Sequence, residues 1–157
     1  MKSLDALPEA RAAALRLLKF RPRSESELRE RLAQKGFDET VVQTVLEDLR
    51  RKGFIGDARF ARYFAGQQSA SKPVGRRFLM SRLKAKGVQP ELAEAAVETA
   101  MEGRDELTLA RAAASKRAGA LAGLPRQAAE RRLFGYLSRR GFSSDVVWKV
   151  VKEVAAS

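Results

Sequence analysis

The chain has 157 residues, of which 45% are apolar and 32% charged, and this balance is typical of a soluble, folded, helix-rich protein. It carries 31 Lys and Arg against 19 Asp and Glu, and a net charge of +12 attracts nucleic acid, acidic protein surfaces or anionic membranes. Cysteine and histidine are absent, which excludes disulfides, thiolate nucleophiles, Ser-His triads and the usual zinc sites. A carboxylate-bound Mg²⁺ is still compatible with this composition. No glycine-rich phosphate-binding motif occurs, which argues against NTP hydrolysis, and the acidic residues lie beside arginines as at solvated helix ends. We therefore expect no enzymatic activity, no metal and no cofactor.

The amino-terminal segment predicts a helix rather than a targeting peptide. It is rich in Arg and Ala, but it contains Asp5 and Glu9 and has no small-residue cleavage site after an apolar run. Leu15 and Leu18 give this helix an apolar side, and Pro22 predicts its end. No stretch approaches the roughly 18 apolar residues of a membrane span. We therefore expect a cytoplasmic protein.

A helix-turn-helix pattern follows, and it is the first of three copies. Ser24 and Glu27 match a capping box, which starts a helix, and Gly36 is expected to end that helix in the left-handed conformation. Asp38 can then cap the next helix. Apolar residues lie eight and four positions before the glycine and one, five, six, nine, ten and thirteen after it: Leu28, Leu32, Phe37, Val41, Val42, Val45, Leu46 and Leu49.

The second copy is centred on Gly87, 51 residues after the first glycine. Asp57 can cap an upstream helix, which is expected to fray in the polar stretch GQQSASKP. Pro90, at the first position of the last helix, compensates for Gln89, which is a poor cap. The upstream helix carries Phe60, Ala61 and Phe64, and the eight offsets carry Leu79, Leu83, Val88, Leu92, Ala93, Ala96, Val97 and Ala100.

The third copy is centred on Gly141, 54 residues further on. Asp105 opens its first helix and Pro125 closes it, while Ser143 can cap the last helix. The same offsets carry Leu133, Leu137, Phe142, Val146, Val147, Val150, Val151 and Val154.

Agreement at eight apolar offsets and a glycine in three copies is hard to obtain by accident. Each set is an amphipathic pattern with one face towards a core. The sequence therefore predicts an all-α protein of three tandem three-helix repeats, with repeat 1 at residues 1–55, repeat 2 at 56–103 and repeat 3 at 104–157. Stacked in series, the repeats are expected to form an elongated, curved right- or left-handed array.

Basic residues lie beside the apolar leucines in the second helix of every repeat. Singly they are typical solubilising charges, and Lys35, Lys86 and Arg140 each complement the dipole at a helix end. Between Arg126 and Arg140, however, one acid accompanies five arginines, with another arginine upstream at 117. Together they predict a positive face for an extended polyanionic or acidic partner. The candidate binding residues are Lys35, Arg50, Arg51, Lys52, Arg76, Arg77, Arg82, Lys84, Lys86, Arg131, Arg132, Arg139 and Arg140.

The motifs RPRSESELRERLAQKGF, FIGDARFARYFAGQQ, RLKAKGV and YLSRRGFSSDVV resemble the bacterial RecX regulatory proteins in order and spacing, over Leu15 to Val154. The resemblance implies three tandem three-helix repeats and a modulator of RecA. Such a protein binds the RecA nucleoprotein filament along its groove and inhibits ATPase, strand exchange and co-protease activity, in recombination, DNA repair and the SOS response. One departure is GQQSASKPVG, whose first basic residue, Lys72, comes later after the aromatic than in many members.

The sequence patterns and the resemblance together lead to three functional hypotheses. The leading hypothesis is a monomeric regulator of the RecA filament that touches single- or double-stranded DNA weakly and has no membrane partner. The alternative is a non-sequence-specific DNA-binding protein built from helix-turn-helix-like repeats, although the third helices carry Val, Ala and Glu rather than base-reading side chains. The third is an adaptor for another acidic protein.

Overall fold

The computed structural model describes residues 4–156, and the side chains of residues 5–155. Residues 1–3 of the predicted first helical segment lie outside this range. The described residues form a short 3-10 helix, Leu4–Ala6, and nine α-helices. These are α1 (Leu7–Phe20), α2 (Glu25–Gln34), α3 (Glu39–Arg51), α4 (Asp57–Ser71), α5 (Arg76–Ala85), α6 (Pro90–Ala100), α7 (Glu106–Leu121), α8 (Arg126–Arg139) and α9 (Ser144–Ala156).

The chain divides into two compact units whose limits do not follow the repeats. Unit 1 contains the described residues up to Phe64 together with Leu83–Ala96. Unit 2 contains Ala65–Arg82 together with the described residues from Val97 onwards. The division passes through α4, α5 and α6, so each unit combines one complete set of three helices with part of repeat 2.

Repeat 1 builds its core within unit 1, where α1, α2 and α3 contact one another. All eight apolar positions predicted around Gly36 are buried. The predicted apolar side of α1 is wrong at Leu15, which is 38% exposed, whereas Leu17 is buried. Alanines dominate the buried face because a methyl side chain lets α1 approach its neighbours closely. This face consists of Ala10, Ala13, Ala14 and Leu17.

Repeat 3 builds a second core within unit 2, from α7, α8 and α9. Six of the eight predicted apolar positions are buried and Val146 is half-buried. Val154, predicted to complete the stripe of α9, is 41% exposed, so the core ends before the last turn of that helix. The small side chains of Ala110, Ala113 and Ala114 face this core from α7.

In repeat 2 the upstream helix is longer than predicted. α4 continues to Ser71 instead of fraying in the stretch GQQSASKP, which begins at Gly66. Ser69 lies inside the supposed fraying segment, but it is only 7% exposed, and its backbone carbonyl accepts a hydrogen bond of 2.8 Å from Arg104. A buried side chain and a tertiary hydrogen bond hold the last turn in place.

Three equivalent turns join the second and third helices of the repeats, as predicted from the glycines. Gly36, Gly87 and Gly141 have φ values of +95°, +82° and +86°, which disfavour any residue with a Cβ. Each glycine N–H donates to the carbonyl three residues back, and the next N–H donates to the carbonyl five residues back, at 2.9–3.3 Å. These pairs of bonds define the Schellman motif.

The helix starts confirm some predicted caps and correct others. Ser24 and Glu27 form the full capping box, and Asp105 accepts a hydrogen bond from the Thr108 amide. Asp38 occupies the cap position of α3, but its side chain makes no capping hydrogen bond. Asp57 is itself the first residue of α4, and its carboxylate accepts the backbone N–H of Glu25 at the start of α2.

Candidate partner-binding surface

Five of the predicted binding residues are engaged in ion pairs inside their own unit. Asp48 interacts with three cations. It accepts hydrogen bonds from Arg11 and Arg51, and it forms an ion pair with Lys52 at 3.3 Å. Burial raises the pKa of Asp48, but the hydrogen bonds from these cations outweigh burial and lower it below its ordinary value. The other pairs are Arg50 with Glu25 (2.6 Å), Arg76 with Glu98 (3.6 Å) and Lys86 with Glu27 (3.6 Å).

The remaining predicted residues make no ion pair with another described residue. Arg82 lies over the ring of Phe78 on the same helix, with its guanidinium carbon 4.8 Å from the ring centre. A charge without a carboxylate partner can bind an external anion without first breaking an internal pair. These residues are Lys35, Arg77, Arg82, Lys84, Arg131, Arg132, Arg139 and Arg140.

Four of these eight residues belong to the second helix of repeat 3 or to the turn that follows it. Leu133 and Leu137 face the core on one side of α8. Arg131, Arg132 and Arg139 are exposed on the other side, as the helical period requires. The acid of this helix, Glu130, pairs with Arg126 at 3.1 Å. The exposed side of α8 is therefore a surface of uncompensated guanidinium groups.

Two further guanidinium groups lie over the ring of Tyr136, beside this surface. Arg140 lies 5.3 Å from the centre of its ring, and Arg117 of α7 lies 4.9 Å from the same centre. The ring's negative face attracts both cations, although they repel each other. Arg117 was not among the predicted binding residues, because only tertiary packing brings α7 to Tyr136. The adjacent basic residues Lys116 and Arg117 were the available sequence signal.

Unit 2 also contains the junction between repeats 2 and 3, and this junction brings two predicted binding residues together. The backbone N–H of Gly75 donates to the carbonyl of Arg140 at 2.8 Å, and that of Arg77 donates to the carbonyl of Gly141 at 3.2 Å. A Cβ on Gly75 would meet the backbone of Gly141, and a Cβ on Gly141 would lie 2.6 Å from the Phe78 Cβ. Two glycines thus allow the turn of repeat 3 to touch the start of α5.

The corresponding junction in unit 1 has the same form but a different charge. A Cβ on Gly87 would lie 2.6 Å from the Cβ of Ser26, so this turn also sits against the start of a helix, here α2. Lys86 beside it pairs with Glu27 and lies 5.9 Å from the ring centre of Phe64. Lys86 and Arg140 have equivalent positions, yet one is neutralised and the other lies in a cluster of cations.

The net charge is also distributed unevenly between the two units. The segments of unit 1 hold 16 Lys and Arg against 12 Asp and Glu, whereas those of unit 2 hold 15 against 7. Two thirds of the net charge of +12 therefore belong to unit 2. Of the two units, unit 2 attracts anionic partners more strongly.

Among residues 4–156, no three carboxylates lie close enough together to hold a metal ion. No helix in the described part of the chain is both long and apolar enough to cross a membrane.

Three family models match the chain in order. The first, second and third three-helix domains of RecX match residues 10–49, 57–97 and 104–151. The chain belongs to the RecX family. This result confirms the resemblance noted from the sequence motifs and the prediction of three tandem three-helix repeats. The outer boundaries of the repeats at residues 55 and 103 stay a prediction.

Individual RecX proteins are similar in sequence to nearly the whole of this chain. The regulatory protein RecX of Amycolatopsis mediterranei (strain U-32) is 37% identical over 146 residues, which cover 92% of this chain and 82% of that protein. The regulatory protein RecX of Thermobifida fusca (strain YX) is 33% identical over 149 residues, covering 95% and 80%. These relatives carry names of regulatory proteins rather than of enzymes.

Solved RecX structures share the fold. The crystal structure of RecX from Lactobacillus salivarius superposes with a TM-score of 0.78 at 19% identity, covering 98% of this chain and 99% of that one. A second crystal structure of a regulatory protein RecX gives a TM-score of 0.79 at 23% identity, covering 95% and 74%. At these identities the similarity establishes the fold alone.

Proposed function

We propose that this chain binds the RecA nucleoprotein filament along its groove and inhibits RecA ATPase, strand exchange and co-protease activity. It would act in the cytoplasm as a monomer without enzymatic activity, in recombination, DNA repair and the SOS response. Membership in the RecX family supports a regulatory role, and the resemblance of the sequence motifs points to RecA. The observation that carries the proposal is the arginine surface of α8, where Arg131, Arg132 and Arg139 make no ion pair with another described residue.

Arginine surfaces suit this task for a physical reason. Guanidinium groups bind carboxylates and phosphates in bidentate geometry and lose less hydration than ammonium groups do. Arg131, Arg132 and Arg139 are exposed and free to make such bonds. Arg50 and Lys52 would first have to leave Glu25 and Asp48. We therefore assign the dominant contacts to repeat 3 and a smaller share to repeat 1.

The repeat organisation suggests how binding would inhibit. A filament presents the same surface at every protomer, and a chain of three similar modules can contact more than one protomer at a time. Several weak contacts on one chain raise the overall affinity through effective concentration. A ligand that binds one conformation of neighbouring protomers better than another slows any cycle that must pass through both. ATP turnover and filament growth are such cycles.

The first test of the proposal is co-sedimentation with RecA filaments on single-stranded DNA, together with ATPase measurements at substoichiometric protein. We expect Arg131→Glu/Arg132→Glu to lose at least tenfold in both binding and inhibition, because charge attraction becomes repulsion. The matched control is Arg16→Glu/Lys19→Glu, which makes the same charge change at exposed positions of α1. Wild-type protein in excess that leaves ATPase unchanged would contradict the proposal. An equal loss of binding and inhibition in both variants would show that α8 is not the specific contact surface.

Direct, sequence-independent DNA binding is the second candidate, and the excess charge of unit 2 favours it. Counterion release makes such binding fall steeply with salt. A steep salt dependence on DNA without any effect on RecA would select this candidate.

A further inference from the structure

The strongest unexplained feature of the described surface is an aromatic pair on repeat 3. Trp148 of α9 is 51% exposed, and its ring centre lies 4.6 Å from that of Phe134 on α8. The two rings line a groove of about 530 Å³ together with Gly135, Arg131 and two polar residues of α8. The space is sufficient for one or two side chains of a partner.

The fold does not require aromatic residues here, as the equivalent place in repeat 1 demonstrates. Counting from the turn glycines, Phe134 corresponds to Arg29 and Trp148 to Gln43. Those two residues form a solvent-exposed hydrogen bond of 3.1 Å. A solvent-exposed polar pair thus occupies the equivalent position in repeat 1. Phe134 is partly buried against the core of repeat 3, but leaving half of the Trp148 side chain exposed costs free energy that the repeat architecture does not demand.

The groove has an apolar lining from its two aromatic rings, and positive charge lies beside it. Gly135 places no side chain in the groove, and Arg131 is one of the lining residues. Arg132 and Arg139 lie on the same exposed side of α8, and none of the three has an ion pair among the described residues. Aromatic side chains and arginine are the residue types that dominate binding energy in protein interfaces. The positive charge of these arginines favours carboxylates on a partner, and the two aromatic rings favour an apolar group between those carboxylates.

We infer that the groove between α8 and α9 is the docking site for an apolar side chain carried on an acidic segment of a partner protein. The Glu130 carboxylate also lines the groove, but it is paired with Arg126 at 3.1 Å. A protein fits better than single-stranded nucleic acid because the two rings are inclined at 48° to each other and do not form the flat platform on which successive bases stack. The identity of this partner as RecA rests on the proposed function.

Trp148 is the only tryptophan in the chain, so it reports on the groove directly. Protein labelled with 5-fluorotryptophan gives one fluorine NMR signal, which unlabelled partners do not obscure. Three probes are added separately: a peptide with phenylalanine between two runs of three glutamates, RecA filaments on single-stranded DNA, and an oligothymidylate. We expect the peptide to shift the signal saturably and the RecA filaments to broaden it.

The decisive variant is Gly135→Gln, with Gly119→Gln as its control. Both glycines lie inside helices, where glutamine is the better helix former, so both variants should fold. A Cβ at residue 135 meets only the movable guanidinium of Arg139, and one at residue 119 meets nothing within 4 Å. The longer side chain at residue 135 fills the groove. We expect it to weaken peptide and RecA binding at least tenfold, while Gly119→Gln leaves both unchanged.

Other outcomes would contradict either the docking site or RecA as its partner. Equal binding of peptide and RecA by the two variants, or no peptide binding by the wild type, would overturn the docking site and leave the proposed function intact. A Gly135-dependent shift with the oligothymidylate but not with the peptide would also overturn it. Peptide binding that depends on Gly135, without any response to RecA, would support the groove and refute RecA as the partner.

Discussion

Gly141→Ala should destabilise the protein far more than Gly36→Ala, although both glycines end equivalent helices. An alanine held at positive φ costs about 1–2 kcal/mol, offset by about 0.4–1 kcal/mol from the stiffer unfolded chain. Around Gly36 a Cβ meets nothing within 4 Å, so a net loss of about 1 kcal/mol is expected there.

At Gly141 the same methyl group would collide with the backbone of Phe78. The start of α5 must then move away, and two hydrogen bonds are strained or lost: Gly75 N–H to the Arg140 carbonyl and Arg77 N–H to the Gly141 carbonyl. Each contributes about 1 kcal/mol net, and more if its donor is left unpaired. The expected total loss is about 3–4 kcal/mol.

Urea unfolding followed by circular dichroism gives the free energies, and amide hydrogen exchange locates the damage. In Gly141→Ala the amides of Gly75 and Arg77 should exchange faster than in the wild type, whereas Gly36→Ala should leave them protected. Similar losses of unfolding free energy in the two variants, with both amides still protected, would refute the reasoning.

Two further changes test the local interactions. Ser24→Ala should cost about 1 kcal/mol by removing the capping box of α2, whereas Asp38→Ala should cost under about 0.5 kcal/mol because its side chain makes no capping bond; equal values in urea unfolding would contradict this. Burial raises the pKa of Glu27, but hydrogen bonds from Arg21 and from the Ser24 amide, with the nearby charge of Lys86, lower it below its ordinary value of 4.5 overall. Its ionised form therefore stabilises the fold fully above that value, and this contribution is lost as the pH falls through the lower folded pKa. The stability difference between wild type and Glu27→Gln should shrink between pH 7 and pH 3, and a constant difference would show that the charge of Glu27 has no part in it.

The helices and turns could be predicted from the sequence because their causes are local. An apolar residue every third or fourth position defines a buried helix face wherever it occurs, and a glycine after the last turn ends a helix through its own backbone freedom. Around Gly36 this was sufficient, since every predicted apolar position is buried. The family could be recognised for the same reason, because its motifs are short segments around the turns.

The candidate site depends on contacts between residues far apart in the chain, and the sequence does not contain their distances. Lys86 and Arg140 were equivalent by sequence, but tertiary packing places one beside Glu27 and the other beside Arg117 over Tyr136. Which cations remain free for a partner was therefore decided only by the folded structure. An ion pair forms where packing brings two charges within about 4 Å, and no periodic pattern along the chain predicts that encounter.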